Sequence, residues 1–229
     1  RTRAFEACYL GSNPSPAAMK RIYFIRHGMT AGNETFTYQM LDTPLSERGR
    51  LQADFLAERF SKISFDVLIA STMERAQETA RSIAKKTGHD VISEPLFHER
   101  LQPSVVRGKA HNDPEVKETL RVARSYWAEE GARHSDEENF YDLKDRATKA
   151  LDYLISRDEE TMVVVTHGTI LKTMLAVMMR GKDLQPDFLD EISQFFFPEN
   201  TGITWVEYDN KQHPGRWQLI TWNDHAHLG

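Results

Sequence analysis

The stretch TMVVVTHGTILK, residues 161–172, carries an apolar run, Met162 to Val165, straight into Thr166, His167 and Gly168. The run does not alternate, which is the pattern of a strand covered on both faces. The residues after it, TILKTMLAVMMRG, read as a helix. A strand feeding a helix across two polar residues and a glycine is the join of a β–α unit, and such units build sheets with parallel strands. Two other stretches are built alike. RIYFI (21–25) runs into Arg26, His27 and Gly28, and FDVLIAS (65–71) precedes MERAQETARSIAKKTG, a helix closed by Gly88.

Working outward, TPLSERGRLQADFLAERF shows Leu51, Phe55, Leu56 and Phe60 at helical spacing, with Ser46 placed to cap the helix N-terminus. Gly49 weakens its first turn. DVISEP reads as a short strand. HERLQPSVVRGKAHNDPE has no clean period and reads as a functional excursion. Helices are expected at about 115–130 and 139–156. Near the C-terminus, GITWVEYDN and RWQLITWND read as strands, with KQHPG between them as a hairpin loop. Strands alternating with helices predict an α/β fold: three layers, a mostly parallel central sheet and helices on both faces. Residues 19–229 are expected to form a single domain with an insertion at about 98–140. Residues 1–18 are set aside as an N-terminal extension or tag remnant, because Met19 stands just before the first strand.

The bulk numbers narrow the function. Among 229 residues, 29 Lys and Arg against 34 Asp and Glu give a net charge of −5. That provides no general basic footprint for nucleic acid or an acidic membrane. No apolar run approaches the roughly 20 residues that span a bilayer, and RTRAFEACYLGSNPSPAA lacks the apolar core of a secretory signal. A lone cysteine, Cys8, cannot form an internal disulfide, so a reducing, cytoplasmic setting is expected.

Ligands of open α/β sheets bind beyond the carboxyl ends of the strands. Three strand ends would deliver His27, His167, Arg26 and Arg75 to one crevice there. Arginine's planar fork suits phosphate oxygens. Helix starts after Gly168 and after Gly28 would add backbone donors for an anion, and a glycine after each histidine permits close backbone approach. Read alone, His27 is a structural histidine, a metal ligand or a nucleophile.

RHGMTAGN resembles the R-H-G-x-T-x-x-N motif of the histidine phosphatase superfamily, the phosphoglycerate mutase-like fold. STMERAQETA resembles its S-x-x-x-R-A-x-x-T-A segment, and VVVTHGTILK its second-histidine motif. PLSERGRLQA, NTGITWVEY and LITWNDHAHL are similar to further segments of that family, so the resemblance spans residues 20–228. It implies a covalent phosphohistidine mechanism. His27 would attack phosphorus as a neutral imidazole. Arg26, Arg75 and His167 would hold the phosphoryl oxygens, and Asn33 would donate to the same group. The resemblance also implies a carboxylic acid between the arginine and second-histidine motifs. Glu99 in EPLFHER matches best, with Glu94 as fallback and a surface pairing of Glu99 with Arg100 as the alternative.

Hydrolysis of phosphomonoesters and phosphoglycerate mutation are both implied by the family. Mutases carry His-Tyr-Gly after the acid's arginine, whereas this chain has Leu101-Gln102-Pro103, which favours a phosphatase. A non-catalytic phospholigand binder on the same fold is the third reading. Arg107, Lys109 and His111 are candidates for a second anionic group of a small-molecule phosphomonoester, or else a solvated loop. Tyr126 and Trp127 wall a pocket or join the core. No ligand set at zinc-like spacing accompanies His225 and His227, and no metal or cofactor is expected. Phe195 to Phe197 read as a buried sheet segment, or as an exposed patch at a homodimer interface.

Overall fold

The computed structural model describes residues 19–209, 211 and 215–229; residues 1–18, with Cys8, and most of the hairpin loop lie outside them. Its centre is one six-stranded sheet. In chain order the strands are β1 (Lys20–Arg26), β2 (Val67–Ala70), β3 (Val91–Ser93), β4 (Thr161–Thr166), β5 (Ile203–Asp209) and β6 (Arg216–Asp224), and across the sheet they run β3-β2-β4-β1-β5-β6. β3, β2, β4 and β1 are parallel, while β5 and β6 are antiparallel additions at one edge. The helices are α1 (Ala31–Thr35), α2 (Glu47–Phe60), α3 (Glu74–Thr87), α4 (Pro114–Ser125), α5 (Phe140–Ser156), α6 (Gly168–Arg180) and α7 (Pro186–Phe195).

Strand pleating divides the apolar runs between two cores. Ile22, Phe24, Val67, Ile69, Met162 and Val164 face one side, where α5, α6 and α7 pack. Ile25, Leu68, Ala70, Val163 and Val165 face the other, against Leu56 and Phe60 of α2 and Ala76, Ala80 and Ile83 of α3. The unbroken apolar strands and the amphipathic helices are thus two halves of one three-layer arrangement. Ser46 caps α2 by accepting from Gly49 N–H, and Gly88 ends α3 at φ 78°. Among the described residues no helix is long and apolar enough to cross a membrane.

Two expectations need correction. The helix expected at about 115–130 stops at Ser125. Tyr126 N–H turns back onto Ala123 and Arg124 carbonyls, and Trp127 drops into the core. Phe195 to Phe197 are not a sheet segment. Phe195 ends α7 and is 84% exposed, Phe196 packs on Trp222 at 4.9 Å, and Phe197 is 68% exposed. An apolar triplet resembles a buried strand, but here it closes an amphipathic helix and leads into a loop. Among the tail histidines, His225 Nδ1 meets Asn223 O and His227 Nε2 meets Thr201 Oγ1. Among the described residues no group of three His, Cys, Asp or Glu side chains is placed to hold a metal ion.

Candidate active site

The sheet register assembles the site. Arg26 stands opposite Thr166 and Ala70 opposite Val165, so the residues that follow each strand emerge side by side. His27 N–H and Ser71 N–H continue the ladder onto Thr166 O and Val165 O, both at 2.9 Å. The His27 and His167 rings then lie 5.0 Å apart, both buried. Arg75, in the first turn of α3, points its Nε–H at His27 Nε2 across 3.3 Å.

These contacts fix the His27 tautomer. Its Nδ1 lies 2.7 Å from Gly28 O, which can only accept, so Nδ1 carries the hydrogen. Arg75 can only donate, so Nε2 carries the lone pair. Burial first, and then the charges of Arg75 and Arg26, hold the imidazole's pKa well below its ordinary value. A neutral ring with Nε2 bare is the form a nucleophile needs. Burial pulls the Arg75 guanidinium down to about 10, which leaves it charged at neutral pH.

His167 caps α6, and its Nε2 is 2.7 Å from Ser71 Oγ. Ser71 Oγ already accepts from Met73 N–H. If it accepted from His167 as well, its own hydrogen would find no acceptor. Ser71 therefore donates to Nε2, and His167 Nδ1 bears the hydrogen. Among the described residues that buried Nδ1 has no partner, and neither has Arg26 Nε, whose Nη1 donates to Pro198 O at 2.7 Å. Buried donors left unpaired cost free energy unless an acceptor is supplied. An anion placed against His27 Nε2 supplies one.

Glu99 follows the 3-10 turn Pro95–Phe97 and lines the same cavity. Its carboxylate accepts from Arg100 N–H (2.7 Å), Thr169 N–H (3.1 Å) and Ile170 N–H (3.2 Å). The surface pairing with the Arg100 guanidinium does not form, because that group stacks over Trp127 at 4.1 Å. Two backbone donors of the α6 N-terminus, expected from the sequence to face an anionic ligand, are instead taken by Glu99. Glu94 is away from the cavity and caps the 3-10 turn through Leu96 N–H. Asn33 lines the cavity. Its Oδ1 is occupied by Thr30 and, at 3.4 Å, by Asn200, so Nδ2 is what it can offer a ligand.

Gly28 works differently from its sequence reading. A Cβ there would meet Gly49 O at 2.7 Å, and a Cβ on Gly49 would meet Met29 O at 1.9 Å. The two glycines let α2 press against the loop behind His27; they do not open a path for a ligand. Other supports also escaped the sequence reading. Thr79 Oγ1 accepts from Gly28 N–H, Gln52 Oε1 from Met29 N–H, and Asn200 Nδ2 donates to His27 O at 2.8 Å. Arg146 clamps the Glu99 segment through the Leu96 and His98 carbonyls and a two-pronged pair with Glu138. Asn200 lay within the quoted NTGITWVEY segment, but nothing local marked Arg146.

The cavity measures about 560 Å³. Arg26, His27, Asn33, Glu99, Arg107 and His111 all line it. Lys109 is not on its wall; its ammonium pairs with Glu115 at 3.5 Å. The His111 ring packs tilted against Tyr38 with centroids 4.2 Å apart, and Arg107 donates to Gln102 O.

The chain is similar to known proteins over most of its length. A probable phosphoglycerate mutase of Enterobacter sp. (strain 638) is 33% identical over 165 residues, 70% of this chain and 75% of the relative. A probable phosphatase of Schizosaccharomyces pombe is 28% identical over 213 residues, 91% of this chain and 95% of the relative. Among solved structures, a putative alpha-ribazole-5'-P phosphatase from Escherichia coli superposes with a TM-score of 0.75 at 25% identity, covering 90% of this chain and 97% of that one. A mycobacterial glucosyl-3-phosphoglycerate phosphatase gives 0.70 at 25% identity, covering 89% and 98%. The family model of the histidine phosphatase superfamily (branch 1) matches residues 22–225, and the chain belongs to that superfamily.

Proposed function

We propose that the protein hydrolyses phosphomonoesters through a phosphohistidine on His27. The observation that carries this reading is the unprotonated Nε2 of His27, met by Arg75, together with buried donors on Arg26 and His167 that have no partner among the described residues. In the first step Nε2 attacks phosphorus and the ester P–O bond breaks. Arg26, Arg75, His167 and Asn33 hold the phosphoryl oxygens, and Glu99 gives the leaving alkoxide its proton. In the second step Glu99 takes a proton from water, the water oxygen attacks phosphorus, and the P–N bond breaks to release inorganic phosphate. Phosphoryl transfer rests mainly on positioning and electrostatic stabilisation, which such a cradle supplies. The scheme calls on no metal, and its partner is a small-molecule phosphomonoester.

Several relatives, from Enterobacter and Yersinia, are named probable phosphoglycerate mutase, which keeps phosphoglycerate mutation as the second reading. Leu101-Gln102-Pro103 after Glu99-Arg100 speaks against it. A screen of many phosphomonoesters with wild type, His27→Ala and Glu99→Gln tests the proposal. Phosphate release by wild type, lost in His27→Ala, is expected. Full activity in His27→Ala would overturn the mechanism, and fast isomerisation of 3-phosphoglycerate without phosphate release would favour the mutase.

A further inference from the structure

The cavity wall carries two phenyl rings that are largely exposed. Phe36 follows α1 with φ 53° and ψ 52°, the left-handed region, and its side chain is 71% exposed. A residue with a Cβ is disfavoured there, and Gly or Asn would avoid the cost. Burial does not compensate, since the ring faces solvent. The left-handed region ends many helices, but a bulky exposed side chain kept there without burial is also a feature of ligand sites. The backbone beneath the ring is fixed from the excursion side: His111 N–H donates to Phe36 O, Tyr38 N–H to Lys109 O, and Gly108 N–H to Tyr38 O.

Phe197 is the second ring, 68% exposed on the same cavity. It too stands on fixed backbone. Its carbonyl accepts from Asn223 Nδ2, its neighbour Phe196 is packed on Trp222, and the next carbonyl, Pro198 O, holds Arg26. Leu41 and Leu101 continue the apolar lining. Both rings therefore sit on stiff supports tied to the phosphate cradle, with their faces bare. Aromatic side chains so placed offer large contact area to apolar or flat groups.

We infer that Phe36 and Phe197 form a subsite for the leaving group, selecting phosphomonoesters whose alcohol carries an aromatic or extended apolar portion close to the ester oxygen. This rests on the phosphatase reading of the His27 site. The rings would touch the alcohol portion and not the phosphoryl group, so the contacts are the same in ground and transition states and act through KM.

The test compares ethyl, butyl, hexyl and benzyl phosphate with glycerol 2-phosphate, using wild type, Phe36→Gly and Phe197→Ala. Phe36→Gly also relieves the left-handed strain, so lost selectivity cannot be put down to poor folding. In wild type, kcat/KM should rise about two- to fourfold per added methylene. Phe36→Gly should lower kcat/KM for benzyl phosphate about tenfold, through KM, and change that for ethyl phosphate less than twofold. Turnover with a flat chain-length series, or equal losses on ethyl and benzyl phosphate, overturns the subsite. If no ester is hydrolysed, the phosphatase reading fails, and calorimetry with the same esters decides the subsite separately. Wild type must then bind benzyl phosphate at least tenfold tighter than ethyl phosphate, a preference that Phe36→Gly removes; equal binding refutes it.

Discussion

Replacing Gly49 by alanine separates two effects that normally point the same way. In an ordinary helix the change is stabilising, by up to about 1 kcal/mol. In α2 the new Cβ would lie 1.9 Å from Met29 O, and 2.8 and 2.9 Å from the carbonyl carbon and nitrogen of the same residue. Normal van der Waals separation requires helix and loop to part by more than about an ångström. All three close atoms are backbone, so no side chain can swing away. Parting would also stretch Ser46 N–H to Met29 O and Met29 N–H to Gln52, each 2.9 Å. Overpacking typically costs about 1–3 kcal/mol, which outweighs the propensity gain. Met29 is two residues from His27, and misplacement by about 1 Å near reacting groups can cost about 100-fold in rate. Urea titration and steady-state phosphate release should thus show Gly49→Ala less stable by about 1–2 kcal/mol and much slower. Gly168→Ala is the control for stability, because its Cβ would meet Pro198 at an ordinary 3.6 Å. A Gly49→Ala protein as stable and as fast as wild type would refute the close-packing argument.

Ser71→Ala removes the donor to His167 Nε2 and frees the ring to change tautomer; kcat should fall about tenfold with KM little changed, and Ser71→Thr should restore part of it. Arg146→Met leaves Glu138 partly buried without its partner and releases the Leu96 and His98 carbonyls, so the urea midpoint should report a loss of about 3–5 kcal/mol. Acid should destabilise the fold through His27 and His167. Their folded pKa values are held well below the ordinary one, mainly by burial and next by Arg75, whereas the unfolded rings titrate near 6.5. The contribution is therefore complete above pH 6.5 and shrinks as pH falls toward the folded values, by about 1.4 kcal/mol per unit for each ring. Urea midpoints from pH 7.5 to 5 should show this slope, reduced in His167→Asn; an unchanged slope in that variant would count against a buried neutral ring.

Much of the site could be read locally, because strand ends announce themselves. His27, Ser71 and His167 each follow an apolar run, and parallel pairing leaves few places for them except together. Ser46 and Gly88 marked helix ends by their own chemistry. What escaped depends on partners distant in sequence. Gly28 looked like a ligand-facing glycine until Gly49 appeared against it. Glu99 matched a motif, but its seat on the first turn of α6 follows from how the 3-10 turn docks. Arg146 sits on a helix face where a charge is unremarkable; only folding brings the Leu96 and His98 carbonyls to it. The end of the helix expected to reach 130 and the Phe195–Phe197 run were misjudged where hydrophobicity is shared by helix, strand and loop, and packing alone decides.

The hydrogen bond from Asn200 Nδ2 to the His27 carbonyl joins residues 173 positions apart. During synthesis, the loop bearing His27 therefore waits for nearly the whole chain before its last brace arrives. Fragments ending before residue 200 would carry the first histidine motif, and most would lack the second. A chain stopped anywhere upstream of residue 200 therefore lacks the side chain that braces the His27 loop.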